Sequence, residues 1–140
     1  MTETQAPVVV LSDSESWALL SGGSFGHLAL SIAGEPEIFP VNYVASDGSI
    51  VFRTAEGTKL FGAVMQNVVA FEVDAYDDHE GWSVVAKGTA RIVEKDAERS
   101  AAELLPLVPW IPTDKRNFVR IDVHEISGRH FRFGPEPDPY

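Results

Sequence analysis

Cysteine is absent from the 140-residue chain, which excludes a disulfide framework and any thiolate metal site. Positive charge is scarce: 11 Lys and Arg stand against 21 Asp and Glu, for a formal net charge of −10. That balance argues against nucleic acid as a partner, because neutralising a phosphate backbone needs a basic face. Long apolar runs are missing as well, and none approaches the roughly 20 residues that a membrane-spanning helix needs. Residues 1–7 are polar and lack the positive-then-apolar order of a secretory signal. A cytoplasmic protein with neither nucleic acid nor membrane as partner is therefore expected. The histidines, His27, His79, His124 and His130, show no close metal-ligand spacing. Asp74, Asp77, Asp78 and Glu80 read as solvated acids, and Ser83 has no Ser-His-Asp context. No metal site and no catalytic side chain are assigned.

What is present is enough for one core. Hydrophobic residues make up 44% of the chain and include 8 Phe, 3 Trp and 3 Tyr, and the length is that of a single domain. Residues 11–133 form the expected domain, between a flexible N-terminus (1–10) and a Pro-rich flexible tail (134–140). Ser12 and Glu15 have the spacing of a capping box, so a short helix carrying Trp17, Leu19 and Leu20 should begin there and stop at Gly22-Gly23. The apolar period then changes to two. Strands are predicted over 25–32, 37–45, 50–54, 68–76, 82–93, 118–126 and 129–133. Gly34-Glu35-Pro36, Asp47-Gly48 and Ser127-Gly128 should be turns, and Gly88 a bend or bulge. Helices are predicted over 58–66 and 95–107. Six or seven short strands with two or three helices favour a mainly β fold with peripheral helices, an antiparallel barrel.

The distribution of charge carries the first functional hint. Through residue 86 there are 12 acidic side chains and only 2 basic ones, Arg53 and Lys59. The segment Phe52-Arg53-Thr54-Ala55-Glu56-Gly57-Thr58-Lys59 leaves a strand, turns and enters a helix. Such a turn offers backbone amides to an anion. Arg53 adds a bidentate fork, Lys59 a point charge, and Thr54 and Thr58 hydroxyl donors. The alternative is ordinary surface pairing of Arg53 and Lys59 with Glu56 or Asp47. Tyr43 and Trp82 likewise read, on their own, as core aromatics.

Three stretches in order, Gly34-Glu35-Pro36 with Pro40-Val41-Asn42-Tyr43, then Phe52-Arg53-Thr54 with Gly57-Thr58-Lys59, then Gly81-Trp82-Ser83-Val84 with Lys87-Gly88, resemble the pyridoxamine 5′-phosphate oxidase-like flavin-binding proteins. The resemblance covers roughly residues 11–133. It implies a six-stranded split β-barrel that forms a homodimer and holds FMN between subunits, in an oxidoreductase acting on a small acceptor. By the same resemblance Arg53, Thr54, Thr58 and Lys59 hold the cofactor phosphate. Pro40, Val41, Asn42 and Tyr43 run beneath the ring, and Trp82 and Ser83 reach it from the partner subunit. Relatives carry Arg where this chain has His27, and vitamin B6 is not the expected substrate.

The same fold accommodates an 8-hydroxy-5-deazaflavin coenzyme or haem, and some members bind without turnover. Lys87 and Arg91 share one strand face and could extend a cationic groove for the acidic tail of the deazaflavin coenzyme. FMN is the preferred expectation. The dimer has a physical motive too: Phe61, Trp82, Trp110 and Phe118 exceed what one thin core hides readily.

Overall fold

The computed structural model describes residues 6–55, 58–65, 67–107 and 117–135. Glu56, Gly57, Gln66 and Trp110 lie outside those residues. The elements in chain order are β1 (Val8–Leu11), α1 (Asp13–Gly22), β2 (Phe25–Ile32), β3 (Glu35–Asn42), β4 (Val44–Ser46) and β5 (Ser49–Thr54). There follow α2 (Lys59–Ala63), β6 (Asn67–Tyr76), β7 (Glu80–Ile92), α3 (Asp96–Glu103) and β8 (Asn117–Arg132). The strands make one antiparallel sheet in the order β3-β2-β6-β7-β8-β5-β4, with β1 added to β8. The fold is mainly β, as expected, but the sheet has eight strands rather than six.

The connectivity shows why this sheet is a barrel. Its end strands β3 and β4 are separated in sequence by Tyr43 alone. A sheet whose outermost strands are covalent neighbours must curl until its ends meet. Tyr43 sits at that junction, 2% exposed, with its ring edge-on to Phe71 at 4.9 Å. Its hydroxyl donates to the Leu20 carbonyl at 2.5 Å, and burial pushes its pKa up to about 12.

Local signals explain the rest. The capping box is present: Ser12 Oγ accepts from the Glu15 amide at 3.1 Å, and Glu15 Oε1 from the Ser12 amide at 3.0 Å. Asp47-Gly48 turns with φ of 49° and 75°, and Ala33-Gly34 with 50° and 83°, the all-positive pair that a two-residue hairpin requires. Alternation sends Leu28, Ile50, Phe52, Phe71, Val84 and Ile121 into the barrel, all fully buried. A smaller outer layer of Val51, Val93 and Phe118 is covered by Ala102 of α3. Glu98 pins α3 there, accepting from Arg91 at 2.7 and 3.1 Å and lying 3.0 Å from Arg120 Nε. The Arg91 hydrogen bonds hold the Glu98 carboxyl below the usual carboxylate range.

Four expectations need correction. The turn predicted at Gly34-Glu35-Pro36 is made by Ala33-Gly34, and Glu35 and Pro36 already belong to β3. The strand predicted over 37–45 is two, β3 and β4, broken at Tyr43. The strands predicted over 118–126 and 129–133 are one, because Gly128 is no turn: a Cβ there would lie 2.4 Å from Ser16 Oγ. The glycine lets α1 approach the sheet. Finally Val8–Leu11, mostly within the stretch expected to be flexible, is a strand paired with β8.

Candidate functional site

Arg53 leaves β5 on the outer face, opposite Phe118 of β8. Its guanidinium carbon lies 5.3 Å over the Phe118 ring. Its Nε is buried and makes no hydrogen bond. One position on, Thr54 is opposite Asn117, whose Nδ2 is also buried without a partner. Buried donors are nearly always satisfied, and each one left alone costs about 1–3 kcal/mol. Alternation sends Arg53 to the outer face and Asn117 to the inner one, so it is the Arg53 orphan that marks an outward-facing place for an acceptor.

Thr58 closes this corner. Its Oγ1 donates to the Ala55 carbonyl at 2.8 Å, accepts from the Phe61 amide at 3.1 Å and lies 3.3 Å from Thr54 Oγ1. Helix α2 has only five residues and its cap already takes the Phe61 amide, so the anion argument rests on the side chains. Lys59 is in contact with Glu37 Oε1 of β3, a partner the sequence did not suggest; Glu56 lies outside the described residues. That contact ties the Arg53–Lys59 segment to the edge strand carrying Pro40.

Strand alternation divides the other predicted residues. Val41 and Tyr43 point into the core and Trp82 packs against it. Pro40, Asn42 and Ser83 occupy the opposite, outer face. The register places them precisely enough to order the face in rows. One row runs Pro40, His27, Glu72, Val85, Ser127 across β3, β2, β6, β7 and β8. The next contains Asp74, Ser83 and Arg129. Pro40 and the β7 residues are three strand spacings apart, about 14 Å, with His27 and Glu72 between them.

His27 Nδ1 is 3.4 Å from Glu72 Oε1. Burial pushes the Glu72 carboxyl above its ordinary range; Asp74 adds to the rise through its hydrogen bond and its charge, and His27 opposes it. Glu72 went unnoticed in the sequence because nothing there shows that it faces His27; only the β2–β6 register does. Lys87 and Arg91 do share the outer face, but Arg91 is committed to Glu98 and Asp122. It is not available to extend a groove. A shallow cavity of about 310 Å³ lies over Ser83, Lys87, Ser127 and Arg129.

The family model described as pyridoxamine 5′-phosphate oxidase matches residues 12–130. Uncharacterised protein Rv0080 of Mycobacterium tuberculosis is 34% identical over 128 residues, 86% of this chain and 84% of that protein. Among solved structures, the FAD binding protein from Mycobacterium smegmatis is 39% identical with a TM-score of 0.81, covering 89% of this chain and 98% of that one. A Corynebacterium glutamicum protein provisionally named pyridoxamine 5′-phosphate oxidase is 43% identical with a TM-score of 0.86, covering 96% and 100%.

Proposed function

The chain belongs to the pyridoxamine 5′-phosphate oxidase family, and from that premise we propose that it binds a flavin nucleotide whose phosphate is held at Arg53. The observation that carries this is the buried Arg53 Nε, which makes no hydrogen bond where β5 ends. A phosphate supplies the missing acceptor, and the Arg fork suits its geometry. Thr54 and Thr58 brace this corner, their hydroxyls engaged with each other and with the Ala55 carbonyl. They are free to donate to a phosphate only by turning from those partners. Lys59 adds a second charge once Glu37 shares it. The ring follows β3 from that corner across Pro40 and Asn42. FMN and FAD carry the same first phosphate, and the M. smegmatis relative is named for FAD.

A bound flavin would supply hydride chemistry, and the chain's part is to bind, orient and shield it. The proposed activity is an oxidoreductase using a nicotinamide or reduced-deazaflavin donor and a small acceptor. Fluorescence quenching with FMN, FAD and the deazaflavin coenzyme side by side tests the cofactor. Saturable binding of at least one is expected, and binding of none would sink the reading. Bound flavin that no donor reduces would identify a carrier instead of an enzyme.

We also propose that a second copy covers the outer face. The aromatic side chains do not supply that surface, since Phe118 is buried under α3 and Trp82 packs on the core. The support is aliphatic: Ile38 is 67% and Val68 70% exposed, on the same face as Ala29 and Ala70. Ile38, Ala29 and Ala70 lie in one row with Val68 beside it, and a contiguous exposed apolar patch usually marks an interface. Sedimentation should show a species of twice the 15.3 kDa chain; a monomer at working concentration would refute it.

A further inference from the structure

His27 and Glu72 lie between the two parts of the outer face that the flavin reading uses, and nothing in the barrel's architecture requires an ion pair there. From the Lys59–Glu37 contact, β3 runs three residues to Pro40, a distance of about 10 Å at strand rise. His27 is directly across from Pro40, with Glu72 on its other side. The Phe25 ring stands edge-on to the imidazole, 5.5 Å away at 78°. The imidazole is thus held from two sides while its side chain stays 47% exposed toward the outer face.

The charges around it are one-sided. Glu72 and Asp74 face it from β6. From β3 its neighbours are Pro40, Ile38 and Asn42, which carry no charge, and Phe25 and Ala29 flank it on β2. On β7, Ser83 and Val85 stand opposite Asp74 and Glu72, with Lys87 one row further. The imidazole therefore stands among acidic and uncharged neighbours, with Glu72 setting its orientation.

We infer that His27 is the charge-compensating residue of the cofactor site, its imidazolium offsetting the negative charge a bound flavin ring gains with a hydride, and that Glu72 is its positioning residue. This rests on the flavin reading. The balance is simple. The donor loses a hydride and leaves oxidised; the ring gains two electrons and one proton, hence one negative charge. His27 keeps its own proton and meets that charge electrostatically, which a preformed cation does without reorganisation.

The test uses the full chain with FMN as probe, oxidised and chemically reduced, in wild type, His27→Gln, His27→Lys and Glu72→Gln. The readout is the midpoint potential of bound FMN across pH, which reports the ratio of reduced to oxidised affinity. His27→Gln should lower that ratio by roughly tenfold, the factor that one pKa unit of coupling represents. His27→Lys should restore it. Glu72→Gln, which keeps the imidazole but loosens its hold, should lower the ratio by less than His27→Gln does. Bound FMN with the same potential and pH profile in wild type and His27→Gln would overturn this inference alone. Failure of FMN to bind any of the four proteins would overturn the flavin reading and this inference together.

Discussion

Arg53→Ala should weaken flavin binding by about 100-fold, since a bidentate charged contact to phosphate is worth ~3 kcal/mol. The unliganded protein should barely notice. Among the described residues its side chain's partner is the Phe118 ring, 5.3 Å from the guanidinium carbon, worth about 0.5–1 kcal/mol. Removing the side chain also removes a buried Nε that makes no hydrogen bond, which offsets part of that loss. The combination is diagnostic: large loss of affinity, with unfolding by urea almost unchanged. Quenching titrations on both proteins, with denaturation curves alongside, check it. If Arg53→Ala binds flavin as wild type does, the phosphate lies elsewhere. If it loses stability and binding together, Arg53 is a structural residue of the α3 layer.

Gly88→Ala should be the most damaging single-methyl change in the sheet. Between Lys87 and Gly88 the β7–β8 register slips: Lys87 faces Glu125 while Gly88 faces Val123. His124 is the extra residue on β8, a bulge that brings its backbone hard against β7. A Cβ on Gly88 would stand 2.2 Å from the Asp122 carbonyl oxygen and 2.8 Å from its carbon. Those are backbone atoms of the longest strand, held on both sides, so no side-chain rotation relieves the clash. The expected cost is ~3 kcal/mol, a large share of the roughly 5–15 kcal/mol by which a domain is stable. The melting temperature should fall by about 10 °C. A denaturation midpoint equal to wild type would mean that β8 can slide, and that the bulge does not lock the register.

Gly88 also shows what a sequence can and cannot disclose. A glycine inside an alternating run signalled a bulge, and the bulge is there. Asp47-Gly48 signalled a hairpin for the same kind of reason, as a local conformational demand written in two residues. Ser127-Gly128 carried the same signal and meant something else. Its glycine answers a contact with Ser16, more than a hundred positions away, and long-range contacts leave no local mark. The candidate site divides along the same line. Arg53 was legible because cations are rare in this chain and it stands at a turn. The alternation of Pro40, Val41, Asn42 and Tyr43 between outer face and core follows from strand geometry once β3 is known. Glu72 was not legible, because its meaning comes from the register of β2 on β6. The pairing of Lys59 with Glu37 was hidden for the same reason; the sequence pointed to nearer acids.

Strand β8 pairs with β7 along most of its length, with β5 over Asn117–Asp122 and with β1 over Gly128–Phe131. Those three partners come from the beginning, the middle and the later part of the chain. During synthesis each of them therefore waits for a segment that emerges from the ribosome after all of them. Contacts of such sequence separation slow folding, typically to the millisecond-to-second range for β-rich domains. Until β8 arrives, β5 and β7 each have an unpaired edge, and Val8–Leu11 has nothing to pair with. The nascent chain is thus most vulnerable to aggregation until β8 has emerged, and β1 has no strand to join before then.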